Sequence, residues 1–172
     1  MIRRLTILFW MALLPYAAWA EGASVRTLER FSQLCSAAID ESGNIETIAN
    51  SLNMSGPNGT QFAMTFGKTT LRILASTDPV QQIIITTTQY SDAREIECKS
   101  IVPTPTPRAD LERLARSLKL EGDFLPMPGT ANQSTGRWKR PGVAPIVVVT
   151  MMSTTPSTIL VIQRIDAQAQ QR

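Results

Sequence analysis

Apolar residues recur at intervals of three and four positions after residue 24, which predicts an amphipathic helix over 24–39 with Ser24 as its N-cap. The apolar stripe of this helix comprises Leu28, Phe31, Cys35 and Ala38. A shorter helix is predicted over 44–53, with Asn44 as its cap. Because Cys35 shares the apolar stripe, we expect its sulfur to point towards the core.

The pattern then changes from helical to alternating, which predicts a β-meander. Its four strand candidates are residues 61–66, 69–76, 80–90 and 96–101. The third carries Ile83, Ile84 and Ile85 followed by a run of threonines, a β-branched stretch that suits a central strand. In the fourth, Ile96 and Cys98 lie two residues apart and therefore share one face.

A proline-rich connector leads to a third predicted helix, with Thr106 as N-cap, Pro107 in its first turn and Gly122 at its end. Residues 125–136 have the composition of a loop. Three further strand candidates follow at 136–140, 144–152 and 157–165.

This order of elements indicates an α+β fold. We expect an antiparallel sheet of about five to seven strands packed against two or three helices, with no internal repeat and one disulfide. Residues 21–166 are predicted to form a single domain, because about 150 residues is a common domain size. The polar residues 167–172 are expected to be a frayed tail.

The first twenty residues have the three parts of a secretory signal peptide: a basic start, an apolar run over 5–14 and a small-x-small cleavage site at 18–20. The apolar run is shorter than the roughly 20 residues that span a bilayer. Cleavage after Ala20 would leave a chain that begins at Glu21 and has no transmembrane segment. We expect an exported protein, located in a bacterial periplasm, with an extracellular location as the alternative.

Loss of this leader also changes the charge, because two arginines leave with it and 15 basic and 14 acidic residues remain. A net charge of +1 does not supply the concentrated basic face that nucleic-acid binding needs, so no nucleic-acid partner is expected. Residues 21–100 carry a net −3 and residues 101–172 a net +4. The basic half could face an acidic partner or anionic lipid, and an ordinary solvated surface is the alternative.

The mature chain keeps two cysteines, Cys35 and Cys98, and an even number in an exported chain favours a disulfide. Their pairing would staple the first helix to the predicted sheet. Two separate buried thiols are the alternative. Redox catalysis is not expected, since the chain has no Cys-x-x-Cys.

The chain contains no histidine, the commonest general base and metal ligand. Two cysteines alone cannot hold a structural zinc. We therefore expect no enzymatic activity, no cofactor and no metal site. Three acidic pairs are interpreted as solvated surface or turn residues: Asp40/Glu41, Glu95/Glu97 and Glu121/Asp123.

Arg137, Trp138, Lys139 and Arg140 form the most suggestive cluster and are the candidate partner-binding residues. Three cations around an indole could bind an anionic polymer, a lipid headgroup or an acidic protein patch. In a strand, however, Trp138 would point to one face and its two neighbours to the other. A core tryptophan between solvated cations is therefore the alternative.

These observations favour a small non-enzymatic binding or accessory protein, such as an inhibitor, an immunity-type protein or an envelope interaction protein, whose partner is a protein or another envelope component. The alternative is a carrier with a pocket for a small apolar ligand between the sheet and the helices. Its lining would come from Ile83–Ile85, Ile146–Met152 and Ile159–Ile165, with Met64, Met151 and Met152 as adaptable members. An ordinary packed core explains the same apolar runs. The oligomeric state has no signal in the sequence.

Overall fold

A computed structural model describes residues 14–55, 62–66, 68–125, 134–142, 145–154 and 156–167, and the side chains within 25–55, 68–125, 134–142, 145–154 and 156–166. The helices in these ranges are α1 (Leu14–Ile39), α2 (Ile45–Ser51) and α3 (Arg108–Ser117). The strands are β1 (Phe62–Phe66), β2 (Thr69–Thr77), β3 (Val80–Gln89), β4 (Ala93–Val102), β5 (Glu121–Leu125), β6 (Ser134–Lys139), β7 (Ile146–Ser153) and β8 (Thr158–Ala167).

All of these strands belong to one antiparallel sheet with the order β1-β2-β3-β4-β8-β7-β6-β5. Strands that are consecutive in sequence pair within each half, and β4 pairs with β8 in the middle, where Lys99 lies opposite Val161. Each half is a helical segment followed by a four-stranded meander. The strand order and directions are those that a twofold axis through the β4–β8 junction would produce. The two halves share the order and direction of their elements, whereas the sequence shows no corresponding repeat.

The helices cover one face of the sheet, and the core lies between the two layers. α1 contributes Phe31, Leu34 and Ile39, whose side chains are fully buried. Alternate residues of the strands meet them, among them Ile83 and Leu160, which are also fully buried. The prediction of an antiparallel sheet packed against a few helices is confirmed.

A disulfide joins Cys35 of α1 to Cys98 of β4, with a Cα–Cα distance of 5.4 Å. Both cysteines are buried within the core. The helix stripe and the strand alternation direct the two side chains towards each other, as expected from the sequence. The predicted pairing is therefore confirmed.

Arg30 of α1 is a buried cation that binds backbone carbonyls. Its guanidinium donates from Nε to the Leu52 oxygen (3.0 Å), from Nη2 to the Asp78 oxygen (2.8 Å) and from Nη1 to the Pro79 oxygen (3.2 Å). Desolvation lowers the pKa of Arg30, and the charge of Asp78 opposes that effect. The arginine thereby links α1 to the end of α2 and to the turn between β2 and β3.

The proline-rich connector is fixed to the end of the sheet by hydroxyl groups. The Thr106 amide donates to Thr158 Oγ1 (2.7 Å) and to Ser153 Oγ (3.0 Å). Pro107 occupies the N-cap position of α3, which has no side-chain cap. The prediction of Thr106 as N-cap is wrong because its backbone is bound to the sheet instead. The cap at Asn44 is confirmed, since its Oδ1 accepts from the Glu46 amide at 2.8 Å.

Two boundaries differ from the predicted ones. α1 is described from Leu14 onwards, so Ser24 lies inside the helix and does not cap it. The sheet contains an additional strand, β5, in the segment where the third helix was expected to end. The predicted signal peptide lies mostly, and residues 168–172 of the predicted tail entirely, outside the described residues.

Candidate functional site

The structure separates the four residues of the candidate partner-binding cluster. Trp138 is 4% exposed and packs edge-on against Phe124, with ring centroids 4.9 Å apart. Arg137 and Lys139 are exposed on the opposite face of β6. Arg140 follows the strand and donates from Nη1 to Asp40 Oδ1 at 2.7 Å. The indole is therefore part of the core, and the two strand cations are the members of the cluster that remain accessible.

The register also places carboxylates beside those two cations. Arg137 is the partner of Asp123 and Lys139 is the partner of Glu121 across β5 and β6. Cross-strand neighbours of opposite charge attract each other. This arrangement reduces the positive field that an anionic polymer would meet at β6.

We call the side of the sheet that faces away from the three helices the open face. Within the described ranges no helix packs on it, and its side chains alternate with the buried ones along each strand. Lys99 of β4 lies on this face between Ile84 and Val161, and the aliphatic side chains around it form a band across the central strands: Ile73, Ile84, Ile101, Ile159, Val161 and Val148. These side chains are half-buried, and Ile146 and Ile165 near one end are 57% and 40% exposed.

A polar network lies next to this band at the β4–β8 junction. Gln163 Nε2 donates to Glu95 Oε1 (3.0 Å) and to Glu97 Oε2 (3.1 Å). The Tyr90 hydroxyl donates to Glu95 Oε2 at 3.1 Å, and this hydrogen bond together with the carboxylate charge raises the pKa of Tyr90. The network holds the two carboxylates in fixed positions, with Thr86 and Thr88 of β3 as their partners on one side and Gln163 and Ile165 of β8 on the other.

The other two acidic pairs lie just after α1 and on the edge strand β5. Asp40 binds Arg140, and Glu41 binds Arg94 at 2.6 Å just after α1. Glu121 and Asp123 lie on the edge strand β5. Among the described residues no group of three or more cysteine, aspartate or glutamate side chains is arranged to hold a metal ion.

On the helix-covered side, a cleft of about 290 Å³ lies between the end of α1 and strands β2 to β4. Arg72 and Thr70 enter it from β2, and Ile85 and Thr87 from β3. The residues that follow α1 form the other wall, with Glu41 among them. Arg72 is half-buried and makes no hydrogen bond or ion pair within the described residues.

Sequence reasoning did not identify the open face or this cleft. The available signal for the open face was the length of the apolar runs, since Ile83–Ile85 and Ile159–Ile162 supply apolar side chains to both faces of a strand. No comparable signal marked Arg72, whose environment depends on the packing of α1 over β2.

None of the helices in the described ranges has the length and hydropathy required to cross a membrane. No protein-family model, curated protein or solved structure matches the chain. The proposed function therefore rests on the surfaces that the structure describes.

Proposed function

We propose that this is an exported, non-enzymatic accessory protein that binds a protein partner of the cell envelope through its open face. The observation that carries the proposal is that, within the described residues, helices cover one side of a sheet in which β7 and β8 carry apolar side chains on both faces. Strands with continuous apolar runs are typical of sheets that are covered on both sides. A partner would supply the second cover.

The polar groups of the open face favour a protein over a lipid surface. Glu95 and Glu97 lie on the open face next to the aliphatic band, and Gln163 donates hydrogen bonds to both. Moving carboxylates into hydrocarbon is costly, and an anionic headgroup would repel them. A protein that presents an apolar patch with a lysine, an arginine or amide donors would fit both parts of this surface.

Two other parts of the proposal, that the protein is exported and that it is not an enzyme, are supported by separate observations. The disulfide and the signal-like first twenty residues support an oxidising compartment, the periplasm in our proposal. The absence of histidine from the whole chain supports a binding role over acid–base catalysis.

The carrier hypothesis receives less support. Inward members of its three apolar runs, such as Ile83, Met151 and Leu160, are fully buried in the core, and their neighbours lie on the open face. An apolar cavity of about 300 Å³ does occur, but it lies between α1 and α3 and is lined by Val25, Leu28 and Leu114 among others. None of the three runs contributes to it.

Site-specific photocrosslinking in the producing cell tests the proposed surface. A photoreactive amino acid replaces Thr150, which lies on the open face of β7 opposite Val161, and in a matched strain replaces Arg116, which is exposed on α3. We expect a discrete adduct with one other protein from position 150 and not from position 116. Equal adduct patterns from both positions, or an adduct with a second copy of this chain, would overturn the proposal.

A charge substitution then measures the contribution of the face. Val161→Glu places a carboxylate opposite Lys99, so the cross-strand pair limits its effect on folding. With the crosslinked partner purified, we expect at least a tenfold rise in Kd, since burying a charged pair in an apolar interface costs more in desolvation than the pair regains. Arg116→Glu is the control and should leave Kd unchanged. Wild-type affinity of Val161→Glu would contradict the proposed surface.

A further inference from the structure

We propose that the cleft at the end of α1 is a binding site for a small monocarboxylate with a short apolar tail, and that Arg72 binds the carboxylate. This site lies on the helix-covered side of the sheet, so the proposal is independent of the open face and of the partner proposed for it.

The charges around the cleft leave one cation uncompensated. Glu41 contacts Arg94 at 2.6 Å and Arg164 at 3.8 Å, and Asp166 contacts Arg164 at 2.8 Å. The charged residues that line the cleft are Arg72, Arg94 and Glu41, and among the described residues Arg72 is the one without an ion-pair partner. One negative charge would balance the group.

Arg72 lies at a position where an unpaired charge is unfavourable. In the sheet register, Arg72 of β2 lies opposite Ala63 of β1 and Ile85 of β3. Ile85 in turn lies opposite Cys98, which forms the disulfide. A half-buried guanidinium beside aliphatic side chains loses part of its hydration, and an anion can replace it. A carboxylate matches the planar fork of arginine with two parallel hydrogen bonds.

The walls of the cleft define the rest of the ligand. Ala37, Ala38, Ile45 and Ile96 provide apolar surface opposite and beside Arg72. The volume of about 290 Å³ gives room for roughly ten non-hydrogen atoms, at the ~30 Å³ that one water occupies in the liquid. The cleft therefore suits a short aliphatic or aromatic acid.

An NMR titration of the oxidised protein with hexanoate tests the site, with hexanol and hexylamine as neutral and cationic probes of similar size. We expect saturable amide shifts confined to the cleft, at Arg72, Ile85 and Thr87 and around residues 37–45. Hexanol should bind more weakly, and hexylamine should not bind. Equal affinity for hexanol and hexanoate, or shifts scattered over the surface, would overturn the proposal.

Substitutions at Arg72 identify the group responsible. Arg72→Gln should weaken hexanoate binding about tenfold or more, because a charged hydrogen-bond partner is lost. Arg72→Lys keeps the charge but loses the fork, so it should give an intermediate affinity. The control Arg116→Gln removes an exposed arginine of α3 and should bind as the wild type does.

A second variant keeps the test valid if Arg72→Gln does not fold. Thr87→Leu leaves Arg72 in place and enlarges a side chain that lines the cleft. We expect it to reduce hexanoate binding by steric exclusion. Unchanged binding by Thr87→Leu in a protein with the wild-type circular dichroism spectrum would contradict the assignment of the cleft.

Discussion

Tyr90 lies just beyond β3, is 48% exposed and donates its hydroxyl proton to Glu95. The hydrogen bond and the carboxylate charge favour the neutral phenol, so the pKa of Tyr90 lies above its ordinary value of 10.0. The folded state therefore gains stability from this contact below the ordinary pKa, and loses it as the pH rises through the raised pKa.

This shift can be measured without interference, since the chain has two tyrosines and the other, Tyr16, lies in the predicted leader. In protein that begins at Glu21, we expect phenolate absorbance to titrate with a midpoint above that of the same chain in denaturant. Glu95→Ala should lower the midpoint. Glu97→Gln, which does not contact Tyr90, is the matched control. An unshifted midpoint in the wild type would refute the contact.

Individual residues also explain why the basic cluster could not be assigned from sequence. The alternation of side chains along a strand places Trp138 on one face of β6, in agreement with the alternative of a core tryptophan between solvated cations. Its burial, however, depends on Gly136, where a Cβ would overlap the indole, and on Phe124 of the neighbouring strand. The contact of Arg140 with Asp40 joins residues 100 positions apart. Local spacing carries no information about such a pair.

At the scale of elements, β5 shows that amino-acid composition alone does not identify every strand. Its residues Glu121, Gly122 and Asp123 are typical of a turn, yet the segment pairs with β6. Gly122 is required because a Cβ there would meet the Arg137 backbone and the Trp138 side chain. The edge strand thus depends on a tertiary contact. By contrast, the helix around Cys35 and the strand around Cys98 could be predicted from the sequence, because each has buried apolar residues at regular spacing.

The disulfide is the covalent link between α1 and the sheet. It closes a loop with a sequence separation of 63, for which the chain-entropy account gives roughly 4 kcal/mol of stabilisation. We expect Cys35→Ala/Cys98→Ala to lower the free energy of unfolding by about 2–4 kcal/mol in guanidinium titrations. The wild type under reducing conditions should show the same loss. A double variant as stable as the oxidised wild type would contradict a stapling role.

At the scale of the whole molecule, the palindromic strand order leaves the two faces of the sheet differently covered within the described residues. Both helical segments precede their meanders and lie on the same face, as a twofold axis perpendicular to the sheet requires. One face is thereby filled by helices and the disulfide, with the Arg72 cleft at its edge. The other is left as a continuous surface across the β4–β8 junction, which is where the partner is proposed to bind.

Removal of the leader should leave this architecture intact. The buried residues described in α1 begin at Thr27, so a chain that begins at Glu21 retains every α1 side chain of the described core. We expect N-terminal sequencing of the exported protein to begin at Glu21, and its intact mass to rise by two hydrogen atoms on reduction. The variant Ala20→Arg, which alters the small-x-small site, should retain the leader. Recovery of an exported chain that still begins at Met1 would refute the predicted processing.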